Sequence, residues 1–282
     1  MKNKALFFIL MILSVFALAA CGSSDQTGEK WSEIEEQGEV VVGTSGTLYP
    51  ASFYPEGSDE ELTGYDVEIM REIGDRLGLE VKFEEYGVDG LLSAIKSGRI
   101  DMAINDMEVT EERKKEFAFS DPYKYSYSTM IVREDDLSGI EKLEDLDGKV
   151  AGGGATTVFA EISRHFGAEV KTYGNVTNDV YLRDVENGRT DLIINDYYLQ
   201  SLALKALPDI AVTLHPDLKF HPTNSAIVMP KDAGTLQQKV NETLNEMRED
   251  RTLTEISKEF FGGKDASKKP DEDIREIEGL GL

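Results

Sequence analysis

The strongest constraint on this chain is a stretch that occurs twice. Ser97–Asp121 reads SGRIDMAINDMEVTEERKKEFAFSD, and ninety positions later Asn187–Tyr198 reads NGRTDLIINDYY. Gly98, Arg99, Asp101, Ile104, Asn105 and Asp106 recur in register as Gly188, Arg189, Asp191, Ile194, Asn195 and Asp196. In each copy an apolar run ends in polar residues. That is the pattern of a short buried strand delivering polar groups to its carboxyl end. After the first copy, Thr110 is placed to cap a helix and Arg113 falls in its first turn. Two like strand ends, one in each half, predict two similar lobes facing each other across a cleft.

At 282 residues the chain has room for two domains with a core each. Its 54 acidic against 30 basic residues argue against binding a nucleic-acid backbone or docking by charge on anionic lipid. Lys2 and Lys4 precede an apolar run, Ala5 to Ala20, which is too short to span a bilayer comfortably and reads as a signal peptide over 1–20. The run ends in Leu18-Ala19-Ala20-Cys21, which resembles the lipobox of bacterial lipoproteins. That resemblance implies a diacylglyceryl group on Cys21, the chain's one cysteine, and hence a protein anchored by lipid at the extracytoplasmic face of the cell membrane. The composition of Gly22–Lys30 predicts a flexible tether, so residues 21–37 are read as anchor and tether with a short helix from Trp31.

From Glu39 onward strands and helices alternate, the order of a parallel sheet with crossover helices. The alternation restarts at Lys149. The expected fold is α/β in two lobes, with mixed sheets flanked by helices. Lobe 1 takes 38–133 plus 225–263, lobe 2 takes 134–224, and 264–282 is a charged tail. Crossings near Val132–Asp135 and Pro222–Ala226 would make a two-stranded hinge able to shut the cleft.

Among groups able to carry chemistry, Arg113 stands out, because a guanidinium fork matches a carboxylate bidentately. Ala151–Thr157 (AGGGATT) is a glycine-rich turn opening a helix, and its N–H groups with the Thr156 and Thr157 hydroxyls suit an anion. No Lys follows the glycines, so it is not a P-loop. Asp196 is suited to accept from an ammonium. Tyr49, Phe53, Tyr86, Tyr123 and Tyr125 are candidates for an aromatic wall. Nucleophile-elbow and zincin motifs are missing, and His165, His215 and His221 lack a tight ligand spacing and read as surface or loop residues, so neither a metal nor a cofactor is expected.

These residues also resemble a known family. Gly64-Tyr65-Asp66-Val67-Glu68-Ile69 looks like the first-helix signature of bacterial extracellular solute-binding proteins of family 3, the polar amino-acid receptors of ABC importers. Gly98–Asp101, Thr110–Arg113 and Phe119–Tyr123 are similar to its ordered run of motifs. The resemblance covers roughly Gly38–Gly263. It implies a type II periplasmic-binding-protein-like fold, an amino acid or related zwitterion as ligand, a membrane permease as partner, and a monomer. It further implies that Arg113 grips the ligand α-carboxylate with help from Thr156 and Thr157, that Asp196 holds the α-ammonium, and that Tyr49, with Phe53, stacks on the side chain. Asp106 and Glu108 depart from the family, which places a small residue and a hydroxyl there; a carboxylate cannot donate to a ligand carboxylate. Glu108, Asp106 or both are therefore expected to pair with Arg113 or to face a cationic ligand group. The branch most similar is that of cystine and sulfur amino acids. The other readings weighed are a dehydratase-like enzyme on the same scaffold, with Glu108 as general acid, and a sensor ectodomain.

Overall fold

A computed structural model describes residues 26–55, 57, 61–271 and 274–280. The signal segment and Cys21 lie outside the described residues. The elements run α1 (Gln26–Gln37), β1 (Glu39–Thr44), β2 (Thr47–Leu48), β3 (Ser52–Phe53), α2 (Tyr65–Leu77), β4 (Glu80–Glu85), α3 (Val88–Lys96), β5 (Met102–Ala103), α4 (Glu111–Glu116), β6 (Phe117–Phe119) and β7 (Lys124–Arg133). After two 3₁₀ turns come β8 (Val150–Gly153), α5 (Val158–His165), β9 (Glu169–Thr172), α6 (Asn178–Glu186), β10 (Leu192–Asp196), α7 (Tyr197–Ala206), β11 (Val212–Leu214) and β12 (Phe220–Ser225). The closing elements are β13 (Val228–Pro230), α8 (Gly234–Glu249) and α9 (Thr252–Phe260).

The strands form two main sheets. The first has the order β4-β1-β5-β13-β6, and the second β11-β7-β10-β8-β9, with β12 also paired to β7. Each is mixed: β1 runs parallel to β4 and β5, while β13 runs antiparallel to β5 and β6. In the second sheet β10 and β9 run parallel to β8, and β7 is antiparallel to its neighbours. Strand alternation loads both faces of both sheets. Val40 and Val42 enter one apolar cluster of the first lobe and Val41 packs on the other. Met130, Val132, Leu192 and Ile194 enter one cluster of the second lobe, Ile131 and Ile193 the other.

The repeated sequence has a local cause. Gly98 and Gly188 both sit at φ 68, the left-handed conformation that ends the preceding helix and that glycine adopts without steric cost. Each following Asp then fastens the neighbouring parallel strand: Asp101 Oδ2 accepts the Val41 N–H at 2.8 Å, and Asp191 Oδ2 the Val150 N–H at 3.0 Å. The same device places one strand end in each lobe.

Three expectations need correction. All of β7 belongs to the second sheet, so the first crossing lies before Lys124, between β6 and β7, and not at Val132–Asp135. The expected tether is helical from Gln26: Ile34 is buried in the first-lobe core with Trp31 packed against it, three residues apart on one helix face. The C-terminal stretch is packed as well. Ala266 is fully buried, its carbonyl accepts the Tyr125 N–H at 2.7 Å, and Ile277 and Leu280 pack against the second-lobe core. Ala266, Ile277 and Leu280 are spread thinly through the segment, so composition alone does not reveal that they pack.

Candidate functional site

The two lobes meet at a cleft that is partly open to solvent and lined by residues of both. Lobe 1 lines it with the ends of β1 and β5 and the turn after them, including Ser45, Asn105, Glu108 and Arg113. Lobe 2 contributes the glycine turn 152–154, Thr157, Phe159, Tyr173, Asn175 and Tyr181.

Arg113 is placed by its helix cap. Thr110 Oγ1 accepts the Arg113 N–H at 3.1 Å, which starts α4 and turns the guanidinium inward. Its Nη1 donates to the Glu108 carbonyl at 2.8 Å and its Nη2 to the Thr156 carbonyl in the opposite lobe at 3.0 Å. Burial pulls its pKa down against the opposing pull of Glu108 and Glu112. Among the described residues no carboxylate forms an ion pair with it.

Glu108 is 8% exposed and stands in an isolated bridge with Ser225. Its Oε1 lies 2.6 Å from His221 Nε2, while its Oε2, also buried, has no hydrogen-bond partner among the described residues. His221 sits at φ 50 where the β7–β12 register slips, a bulge that re-aims its ring. His221, expected at the surface or in a loop, lies within β12, and its pairing with Glu108 has no local sequence signal. His215, also read as surface or loop, is buried, with Nε2 3.0 Å from the Ile140 carbonyl. His165 lies on α5, edge-on to Phe166.

Asp106 lines the cleft and is tied to the hinge strands. It too has φ 50, a conformation Asp tolerates better than most residues. Its N–H donates to Asp66 Oδ2 at 2.6 Å, and its carboxylate receives Ser225 Oγ at 2.5 Å and Lys124 Nζ at 2.9 Å to each oxygen. The same ammonium lies 2.7 Å from Asp196 Oδ2. Lys124 and Asp196 are each 1% exposed, and Asp196 caps α7 by accepting the Leu199 N–H at 3.0 Å. Burial pulls the Lys124 pKa down, but Asp106 and Asp196 outweigh it and hold the ammonium above the ordinary lysine range. Asp196 therefore lies behind the cleft wall rather than on it; Asn195, one residue earlier, lines the cleft.

The expected anion cradle has an occupant from the other lobe. Asp89, in the first turn of α3, accepts the Ala155 N–H at 3.1 Å, the Thr156 N–H at 2.9 Å and the Thr156 hydroxyl at 2.7 Å. Burial raises its pKa, but the bonds from Thr156 and Ala155 prevail and hold it below the usual carboxylate range. Gly87 occupies the N-cap position of α3, which leaves the Asp89 carboxylate free to reach across to lobe 2. Thr157 lines the cleft and caps α5 through the Ala160 N–H at 3.2 Å. A second contact joins the lobes where Thr47 Oγ1 donates to Asn175 Oδ1 at 2.7 Å and Asn175 Nδ2 to the Ser45 carbonyl at 3.0 Å. Gly154 makes this approach possible, since a Cβ there would stand 2.8 Å from Val88 of lobe 1. Asn175 carried no local signal in the sequence.

The aromatic wall differs from expectation. Tyr49 and Phe53 pack edge to face on each other, centroids 4.8 Å apart, and neither lines the cleft. Tyr123 is buried against Tyr65, Tyr86 bonds Glu84, and Tyr125 lies at the hinge beside Ala266 and Lys269. Phe159, Tyr173 and Tyr181 of lobe 2 take the place of that wall.

Two α/β lobes joined through paired strands around an interlobe cleft define a type II periplasmic-binding-protein fold. The model of the bacterial extracellular solute-binding proteins, family 3, matches residues 40–263. The chain is 51% identical over 282 residues to the "Probable ABC transporter extracellular-binding protein YckB" of Bacillus subtilis, covering 99% of this chain and 98% of that protein. It is 32% identical to the L-cystine-binding protein TcyA of the same organism, over 94% of this chain and all of that one. The crystal structure of Bacillus subtilis YckB superposes with a TM-score of 0.70 at 54% identity, covering 88% of this chain and 99% of that chain. The chain belongs to the bacterial extracellular solute-binding proteins, family 3.

Proposed function

We infer that this protein is the substrate-binding component of an amino-acid ABC importer, tethered through Cys21 to the extracytoplasmic face of the membrane. It works as a monomer that captures its ligand between the lobes and hands it to a membrane permease. The observation that carries this reading is Arg113, a half-buried guanidinium in an interlobe cleft, hydrogen-bonded to two carbonyls and without a carboxylate of its own among the described residues. A ligand carboxylate is the natural complement to such a group. Since each lobe supplies part of the lining, ligand binds the shut form better than the open one and drives closure. The likeness to an L-cystine-binding relative favours amino acids with a polar or sulfur-containing side chain.

The test is a thermal-shift screen of the mature protein against L-amino acids and cystine. A ligand at a hundred times its Kd should raise the melting temperature by about 5 °C or more. Arg113→Lys, which keeps the charge and loses the fork, should abolish most of that shift while leaving the unliganded melting temperature nearly unchanged. If no amino acid moves the transition, the receptor reading is wrong.

A further inference from the structure

The family resemblance implies that Asp196 receives the ligand's ammonium, yet in this chain an ammonium is already there. Lys124 Nζ lies 2.7 Å from Asp196 and 2.9 Å from both oxygens of Asp106, and all three side chains are at most 5% exposed. These groups gather where the chain passes between lobes: Lys124 opens β7 and Asp106 bonds Ser225 at the end of β12, with Asp196 at the end of β10 beside them. A second ammonium could reach Asp196 only by displacing Lys124 into a buried site. That would strand a desolvated charge, at a cost larger than a ligand's hydrogen bonds return.

We propose that Lys124 is a resident substitute for the ligand's ammonium at Asp196, and that Glu108 receives the ligand's ammonium instead. Glu108 lines the cleft, is more than nine-tenths buried, and keeps one carboxylate oxygen without a partner among the described residues. His221 fixes the other oxygen at 2.6 Å. The Glu108 carbonyl also anchors Arg113 Nη1 at 2.8 Å, so the groups for carboxylate and ammonium sit side by side on one turn of lobe 1. This assignment rests on the amino-acid-receptor reading and adds a specificity determinant to it.

The experiment is calorimetric titration of the mature protein with matched pairs: L-cystine and dithiodipropionate, L-arginine and guanidinovalerate, L-glutamine and glutaramate. Each pair differs only in its α-ammonium groups, two for cystine and one for the others. The amino acid that binds should do so at least about tenfold more tightly than its des-amino partner. Glu108→Gln should remove most of that difference. Asp196→Asn, which keeps the α7 cap, should leave the difference in place. Unliganded melting curves of both variants establish that they fold. A difference that survives Glu108→Gln and vanishes in Asp196→Asn overturns the assignment, as does a des-amino partner that binds equally well. Wild-type protein that binds no member of any pair overturns the receptor reading itself.

Discussion

Asp66 shows how a single buried carboxylate sets a pH dependence. It is fully buried at the start of α2, with Oδ2 accepting the Asp106 N–H and no ion pair of its own among the described residues. Burial first, then the nearby Asp106 charge, pushes its pKa from 3.8 up to about 8. The folded value lies above the unfolded one, so the protonated carboxyl favours the fold. Its contribution is complete below the unfolded value and drains away as pH rises through the folded value near 8. Asp66→Asn keeps an acceptor for the Asp106 N–H and has nothing to ionise. Its denaturation midpoint should fall less steeply than the wild type's between pH 5 and 9, with the variant ahead by a few kcal/mol, about, at the alkaline end. Parallel profiles for the two proteins would show that Asp66 is not the group responsible.

At the scale of elements, closure depends on the first turn of α3 meeting the glycine turn before α5. Three donors of lobe 2 converge on Asp89 of lobe 1, and Arg113 adds a bond in the opposite sense to the Thr156 carbonyl. Asp89 is solvent-exposed, so each bond is modest, but together they favour the shut form. Asp89→Ala should weaken ligand binding several-fold, with little change in the unliganded melting temperature. Because the carboxyl is held below its usual range, the wild-type latch persists at neutral pH and fails only as pH falls through that depressed value. Tighter binding by the alanine variant would mean that Asp89 competes with the ligand for the cradle and does not latch the lobes. The sequence disclosed what was local. The two strand ends, the glycine that stops each helix and the Thr110 cap on Arg113 are short-range devices with fixed spacing. It did not disclose partners that meet only in the fold. Asp89 and Thr156 lie 67 positions apart, and Lys124, within an aromatic strand-like run, reads as an ordinary strand residue until Asp106 and Asp196 close on it. Tyr49 and Phe53 satisfy each other, so the loop's aromatic content misdirects.

Across the whole molecule, the C-terminal segment ties both lobes to the hinge strands. Its lobe-1 end is fixed by the Ser257 hydroxyl, which accepts the Ala266 N–H at 2.7 Å, and by the Ala266 bond to Tyr125 on β7. Its lobe-2 end is fixed by a bridge between Arg275 and Phe220, by the Arg275 carbonyl accepting the His221 N–H at 2.7 Å, and by Ile277 and Leu280 in the core groove. The His221 contact matters because that residue's ring holds Glu108 in the cleft. Removing residues 268–282 should therefore act in two ways. Lost apolar burial at Ile277 and Leu280, about 1 kcal/mol or more for each half-buried side chain, should lower the melting temperature by roughly 5 °C. Release of the bulge should also loosen the His221 ring and weaken ligand binding. His221→Ala should weaken binding by a similar factor, and in the truncated chain it should cost much less than in the full one, since both changes act through one contact. Full additivity would separate the two effects and leave the segment a structural brace with no influence on the cleft.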